Sequence, residues 1–162
     1  MIESNSEVIL KKLLRRAVEL WRIGKIDRAF QQLEVIQLAA QNRAEVLMLK
    51  LELYEATGQW RKMISVAHRL TETEPDNPFW KICLANATRH GISIDFAKLI
   101  LLKALKTHPD DALVNYNLAC YLCYENDFEA AKAHLAKAFA SDPELESTYV
   151  TEPELAPLWN KI

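Results

Sequence analysis

The chain holds one Cys-x-x-Cys spacing, Cys120-Tyr121-Leu122-Cys123, an arrangement that elsewhere chelates zinc or cycles between dithiol and disulfide. A structural zinc site needs a second ligand pair, and a redox pair needs a strand-to-helix turn. This spacing has neither, nor a nearby histidine, and it falls in the middle of an apolar stretch of helix length. His68, His90, His108 and His134 are spread along the chain, so a shared metal site is not expected, and His108 precedes Pro109 in a turn. Paired carboxylates occur in Asp110-Asp111 and Glu52 with Glu55, and the former stand where a helix begins and acids complement its dipole. There is no glycine-rich phosphate loop, nucleophile elbow or metal-binding triad. The expectation is a chain that is not an enzyme, with no catalytic residues, no metal and no cofactor.

The elements that carry these residues recur. Gly24, Gly58, Ile92 and Asn126 form a column at intervals of 34 residues; Ala29, Met63, Ala97 and Ala131 form a second. Ala17, Leu51, Ala85 and Ala119 make a third, and Ile36, Leu70, Ala104 and Ala138 a fourth. Pro75, Pro109 and Pro143 close three units, with Gln41 at the corresponding place in the first. A fixed period of this size signals stacked supersecondary units, each too small to bury its own apolar face. The register predicts units at 10–43, 44–77, 78–111 and 112–145, without insertion or deletion. Turn residues divide each unit into two helix-length apolar patterns, and the spacing predicts helices over 5–22, 27–40, 44–56, 60–73, 78–90, 94–107, 112–125 and 128–140. No segment alternates as a strand does. Small residues in the columns allow two helices to approach closely, with Leu84, Leu101, Leu118 and Leu135 filling the space beside them.

Both ends carry extra residues. Ser4-Asn5-Ser6-Glu7 offers a capping box for a first helix that extends beyond its unit, leaving 1–9 as an N-terminal extension. The segment 146–162 reads as a C-terminal cap, with Pro153 suited to a first helical turn and Leu155, Leu158 and Trp159 covering the edge of the last unit. With 162 residues, half of them apolar, the chain supports one domain over 1–162. An odd count of three cysteines argues for a reducing compartment; with no signal-like start and no membrane-length apolar run, a cytoplasmic protein without membrane contact is expected.

The four units resemble tetratricopeptide repeats, most clearly in the last, where Asn117, Leu118, Ala119, Asn126, Asp127, Phe128, Ala131, Ala138, Asp142 and Pro143 match that pattern. The second keeps Tyr54, Gly58, Trp60 and Pro75; the third keeps Leu84, Ala85, Ala97, Ala104 and Pro109, with its glycine, Gly91, one place early. The first retains Ala17, Gly24, Ile26, Ala29, Leu33 and Ile36. The resemblance implies an all-α, right-handed solenoid of antiparallel helix pairs with a short terminal capping helix. It also implies a concave groove lined by the first helix of each pair, which nominates Lys11, Arg15, Trp21, Arg22, Met48, Glu52, Phe79, Ile82, Asn86, Arg89, Tyr116, Asn117, Cys120 and Tyr124 as partner-contacting positions. The carboxylate clamp by which some of these proteins hold chaperone C-termini is not expected, because only Asn117 fits its pattern.

Charge is uneven along the chain. Residues 10–43 carry eight basic side chains against three acidic ones, whereas the last unit and both ends are net acidic. Such a basic end is either an ordinary solvated face or a steering surface for an acidic partner. The expected function is a non-catalytic, bacterial-type interaction scaffold binding a peptide or partner helix in its groove. The alternatives are a secretion-type chaperone, which leaves a homodimer open, and an RNA-binding helical repeat. The acidic overall balance counts against nucleic acid.

Overall fold

The computed structural model describes residues 5–36 and 40–159. The elements run α1 (Asn5–Arg22), α2 (Ile26–Glu34), α3 (Ala44–Ala56), α4 (Trp60–Thr73), α5 (Pro78–Gly91), α6 (Ile94–Thr107), α7 (Ala112–Tyr124), α8 (Phe128–Ser141) and α9 (Leu145–Tyr149), followed by a 3-10 helix at Pro153–Leu158. No strand occurs among the described residues. The helix starts keep the period: α2, α4, α6 and α8 begin at Ile26, Trp60, Ile94 and Phe128, and α3, α5 and α7 at Ala44, Pro78 and Ala112.

The turn inside each pair explains the glycine column. After α1, α3 and α7 the chain takes a left-handed residue, Gly24 (φ 74), Gly58 (φ 65) and Asn126 (φ 64). Each turn is closed by the same two bonds, for example Gly58 N–H to Glu55 O at 3.0 Å and Gln59 N–H to Tyr54 O at 2.8 Å, which satisfy carbonyls left over at the helix end. The third unit has the β-branched Ile92 in this column, and a positive φ there would be severely strained. Its backbone lies instead at φ −135, with the N–H groups of both Ile92 and Ser93 donating to Thr88 O. The early glycine, Gly91, is simply the last residue of α5.

Helix starts are capped where the sequence places short polar side chains. Asn77, Ser93, Asp111 and Asp127 each accept a backbone N–H from the following first turn, and Pro78 occupies the first helical position of α5. The capping box expected at Ser4 lies outside the described residues. So does part of the helix expected over 27–40: α2 ends at Glu34, and 37–39 are not described. Gln41 supplies a different ending from the proline of the later units. Its amide Nε2 donates to Leu33 O (2.9 Å) and Ile36 O (2.8 Å), while its Oε1 accepts from Lys50 Nζ.

All twelve residues of the three small-residue columns are buried, from Ala17, Ala29, Ala97 and Ala131 at 0% exposure to Leu51 at 5%. The chain forms two compact units, the first ending at Leu70 and the second beginning at Thr71. In the first, α1 packs on α2 and both meet α3, around Leu10, Ala17, Leu20, Leu33, Val46 and Leu53. In the second, α5 pairs with α6 and α7 with α8, around Ala85, Leu101, Leu118, Tyr121, Leu135 and Ala138. One buried polar group ties the second unit's turn to its helices. Asn115, fully buried, donates to Pro109 O and Asp111 O and meets His134 Nδ1 at 2.8 Å, and burial lowers the pKa of that imidazole. No helix among the described residues is long and apolar enough to cross a membrane.

Two substitutions test this packing. Ala131→Trp should lower stability by about 1–3 kcal/mol or more, since its site has no room for a larger side chain. Gly58→Ala should cost about 1–2 kcal/mol through backbone strain alone, because the added Cβ meets nothing closer than Trp60 Nε1 at 3.8 Å. Urea midpoints at the wild-type value for either variant would mean that the repeat phase is wrong.

Candidate functional site

The fourteen residues nominated for partner contact lie on the first helices of both units. On α1, Lys11, Arg15 and Arg22 share one face and are exposed, while Trp21 is half-buried against the core of the first unit. On α3, alternation with the buried Leu47, Leu49, Leu51 and Leu53 leaves Met48 (42% exposed) and Glu52 open to solvent. Part of the basic surface is already engaged: Arg43 bridges Glu7 and Glu45, and Arg16 meets Glu19.

In the second unit the face is organised differently. Phe79 is exposed, and its neighbour Trp80 takes the core position, donating its indole N–H to Glu74 at 2.9 Å. Phe79 lies edge-on to that indole, with 5.0 Å between the ring centroids. Asn86 is half-buried and accepts from the Tyr121 hydroxyl at 2.6 Å. Asn117, also half-buried, folds back onto Leu113 O. Tyr124 is 69% exposed. Ile82, Tyr116 and Cys120 are buried rather than open, with Tyr116 and Cys120 on the helix face that the C-terminal segment covers.

The seat of that segment is the feature the sequence reading missed. The 3-10 helix packs against α7, and Leu155 and Leu158 are completely buried in the second unit's core. Trp159 closes the segment on itself, its indole N–H donating to Tyr149 O at 3.0 Å. Glu154 Oε1 accepts from both Nη1 and Nη2 of Arg89 at 3.0 Å, a pairing of residues 65 apart in sequence. The guanidinium also lies over the Tyr121 ring at 5.5 Å and contacts His90 Nε2 at 3.2 Å. Pro153 and the leucine spacing were legible as a cap, but nothing local in the sequence marks Glu152, Glu154 or Tyr121 as partners of the groove positions.

Electrostatics in this region treat the two carboxyls of the segment oppositely. Interaction between the Glu152 and Glu154 side chains favours one acid protonated and the other ionised. With desolvation and the neighbouring negative charge, it pushes Glu152 up to about 7; with Arg89, it holds Glu154 down at about 2. Burial raises the Cys120 and Cys123 thiols, as it does the Tyr116 and Tyr121 phenols, so none of these groups is primed as a nucleophile. No three histidine, cysteine, aspartate or glutamate side chains come together as a metal site among the described residues. Beside the segment, Arg89, His90, Ile94, Tyr124 and Glu154 line an open cleft of about 400 Å³.

No family model and no curated protein matches the chain. Among solved structures it is similar to three of MamA, a tetratricopeptide-repeat protein. The structure titled "MamA RS-1 ArsTM double mutant" aligns at a TM-score of 0.68 with 15% identity, covering 85% of this chain and 77% of the other. "MamA MSR-1 C2" aligns at 0.65 with 20% identity over 87% and 79%. A MamA point mutant aligns at 0.60 with 21% identity over 80% and 76%. At these identities the likeness shows the fold, an all-α solenoid of the tetratricopeptide type.

The opposed shifts of Glu152 and Glu154 make the seating of the C-terminal segment depend on pH. Glu152, raised from 4.5, contributes stability that is complete below about pH 4.5 and lost as pH rises through about 7. Glu154, lowered from 4.5, contributes stability that is complete above about pH 4.5 and lost as pH falls through about 2. The groups facing the pair are Arg89 and His90 from α5 and Tyr116, Cys120 and Tyr121 from α7. Protection of the Trp159 indole N–H, followed by NMR with correction for intrinsic exchange, should peak near pH 5 and fall towards pH 7. Glu152→Gln should flatten that fall, and a flat wild-type profile would contradict the account.

Proposed function

We propose that the chain is a non-catalytic protein-interaction scaffold built of four 34-residue helix pairs, at 10–43, 44–77, 78–111 and 112–145, whose first-helix faces bind an extended peptide or a partner helix. The observation that carries this reading is the exposure of large apolar side chains at the groove positions themselves. Met48, Phe79 and Tyr124 stand 42%, 46% and 69% exposed. Aromatic side chains with a polar edge are efficient anchors for a partner because they bury much area for little conformational entropy. The fold likeness supports a scaffold of this kind. The free thiols Cys83, Cys120 and Cys123 support a reducing, cytoplasmic setting.

The structure changes which residues are asked to bind. Tyr116, nominated as an anchor, is buried beneath the chain's own C-terminal segment, so truncating it removes core packing as well as any contact with a partner. Phe79 and Tyr124 are the anchors open to a partner in the second unit. In the first unit, Lys11, Arg15 and Arg22 are exposed cations that steer an acidic partner rather than hold it, since charges beyond about 8–10 Å are screened at physiological salt.

A panel of fluorescent peptides, acidic, basic and amphipathic, together with an RNA oligonucleotide, tests the reading by anisotropy. At least one peptide should bind the full chain. Tyr124→Ala or Phe79→Ala should weaken it by about tenfold or more with helicity unchanged. The triple substitution of Lys11, Arg15 and Arg22 to glutamate should slow association and flatten its salt dependence, with a smaller change in dissociation. Unchanged affinity in both aromatic variants, loss on Lys132→Ala of the second helices, or salt-sensitive binding of the RNA alone would overturn the groove reading.

A further inference from the structure

Residues 149–159 lie on the face that the scaffold reading assigns to partners, and they lie there in the manner of a bound peptide. The segment is short and not α-helical beyond Tyr149: Val150 and Thr151 turn, a 3-10 helix that includes Pro157 follows, and Trp159 closes back on Tyr149. Its contacts combine two completely buried leucines with one carboxylate seated on a guanidinium. This is the pattern of a peptide with apolar anchors and one charge-assisted hydrogen bond.

Two further observations show that the seat is imperfectly filled by its own chain. On the face itself, Arg89 Nε and the Tyr116 hydroxyl are buried, yet find no hydrogen-bond partner among the described residues. Buried polar groups left unpaired cost free energy that a better-fitting occupant recovers. The seat also continues into the 400 Å³ cleft that ends at Tyr124, which the segment leaves 69% exposed. A longer peptide on the same face reaches an aromatic surface that the tethered segment does not.

We infer that residues 149–159 act as a tethered ligand for the α5–α7 face, and that the partner this face takes is an acidic peptide carrying paired aliphatic side chains. Such a partner places a carboxylate on Arg89, two leucine-like side chains where Leu155 and Leu158 sit, and its continuation over Tyr124. The proposal rests on the scaffold reading and adds the chemistry of the partner and the competition it must win. A tethered segment acts at an effective concentration of order millimolar, so the apparent affinity of a free peptide falls by the fraction of chains whose face is open.

The test uses the full chain and a fluorescent synthetic peptide with the sequence of residues 149–159. Leu155→Ser with Leu158→Ser should release the tethered segment, so that this chain binds the peptide at least tenfold more tightly than wild type. Adding Arg89→Glu to the released chain should reduce binding at least tenfold, and a scrambled peptide should not bind. If the double variant loses helicity by circular dichroism, Glu154→Lys, which keeps both leucines and repels Arg89, replaces it with the same expectation. Equal binding to wild-type and released chains, binding to neither, or indifference to Arg89→Glu overturns the inference. Unrelated peptides measured alongside separate the two readings. Binding of those peptides that depends on Phe79 and Tyr124 but ignores release of the segment ends this inference and leaves the scaffold intact. Binding of no peptide to any chain ends both.

Discussion

The close approach of two helices at a column of small side chains is the constraint on which the fold depends. Ala17, Ala29, Ala85, Ala97, Ala119 and Ala131 are all completely buried. At such contacts the interaxial distance is set by the side chains between the helices, and a methyl group permits the near end of the range. Larger residues then fill the flanks: Leu101, Leu118 and Leu135 are buried to within 1%. Each pair closes through a tight turn, and three of the four turns need a residue that tolerates positive φ. Spacing of 34 residues is the consequence of two helices of fixed length joined by turns of fixed geometry, and the first-helix faces are where this arrangement leaves side chains for other work.

Most of that architecture was legible in the sequence because its determinants are local. The starts of seven helices and the burial of the columns follow from residues within one or two turns of the positions they control. The exceptions are physical rather than statistical. Ile92 cannot take the conformation of Gly58, so the third turn is made from the two N–H groups that meet on Thr88 O. The end of α2 has no proline to set it, and Gln41 performs the task with a side-chain amide reaching back to Leu33 and Ile36.

The candidate site was legible only as a set of positions. The tetratricopeptide resemblance nominated Lys11, Arg15, Met48, Phe79 and Tyr124 as partner-contacting positions, but neither it nor helical phase says anything about a segment that returns from about 30 residues further along. Glu154 reaches Arg89 across 65 residues, and Leu155 and Leu158 complete a core that helical periodicity assigns to α7 alone. Tyr116 and Cys120 therefore read as groove residues in the sequence and are buried in the structure. The same return explains why the Cys-x-x-Cys spacing carries no reactivity: both thiols sit in the covered face of α7, where burial disfavours the thiolate.

The C-terminal segment sits on α7 in the second unit, and the proposed binding role of that face stands on the segment being displaceable as well as seated. Methyl-labelled NMR of the full chain tests both properties directly, through nuclear Overhauser contacts between the Leu155 and Leu158 methyls and α7 side chains. The account predicts that these contacts are present in the free protein and vanish as an acidic, leucine-bearing peptide saturates it. Contacts absent from the free chain, or unchanged with the peptide fully bound, would contradict it.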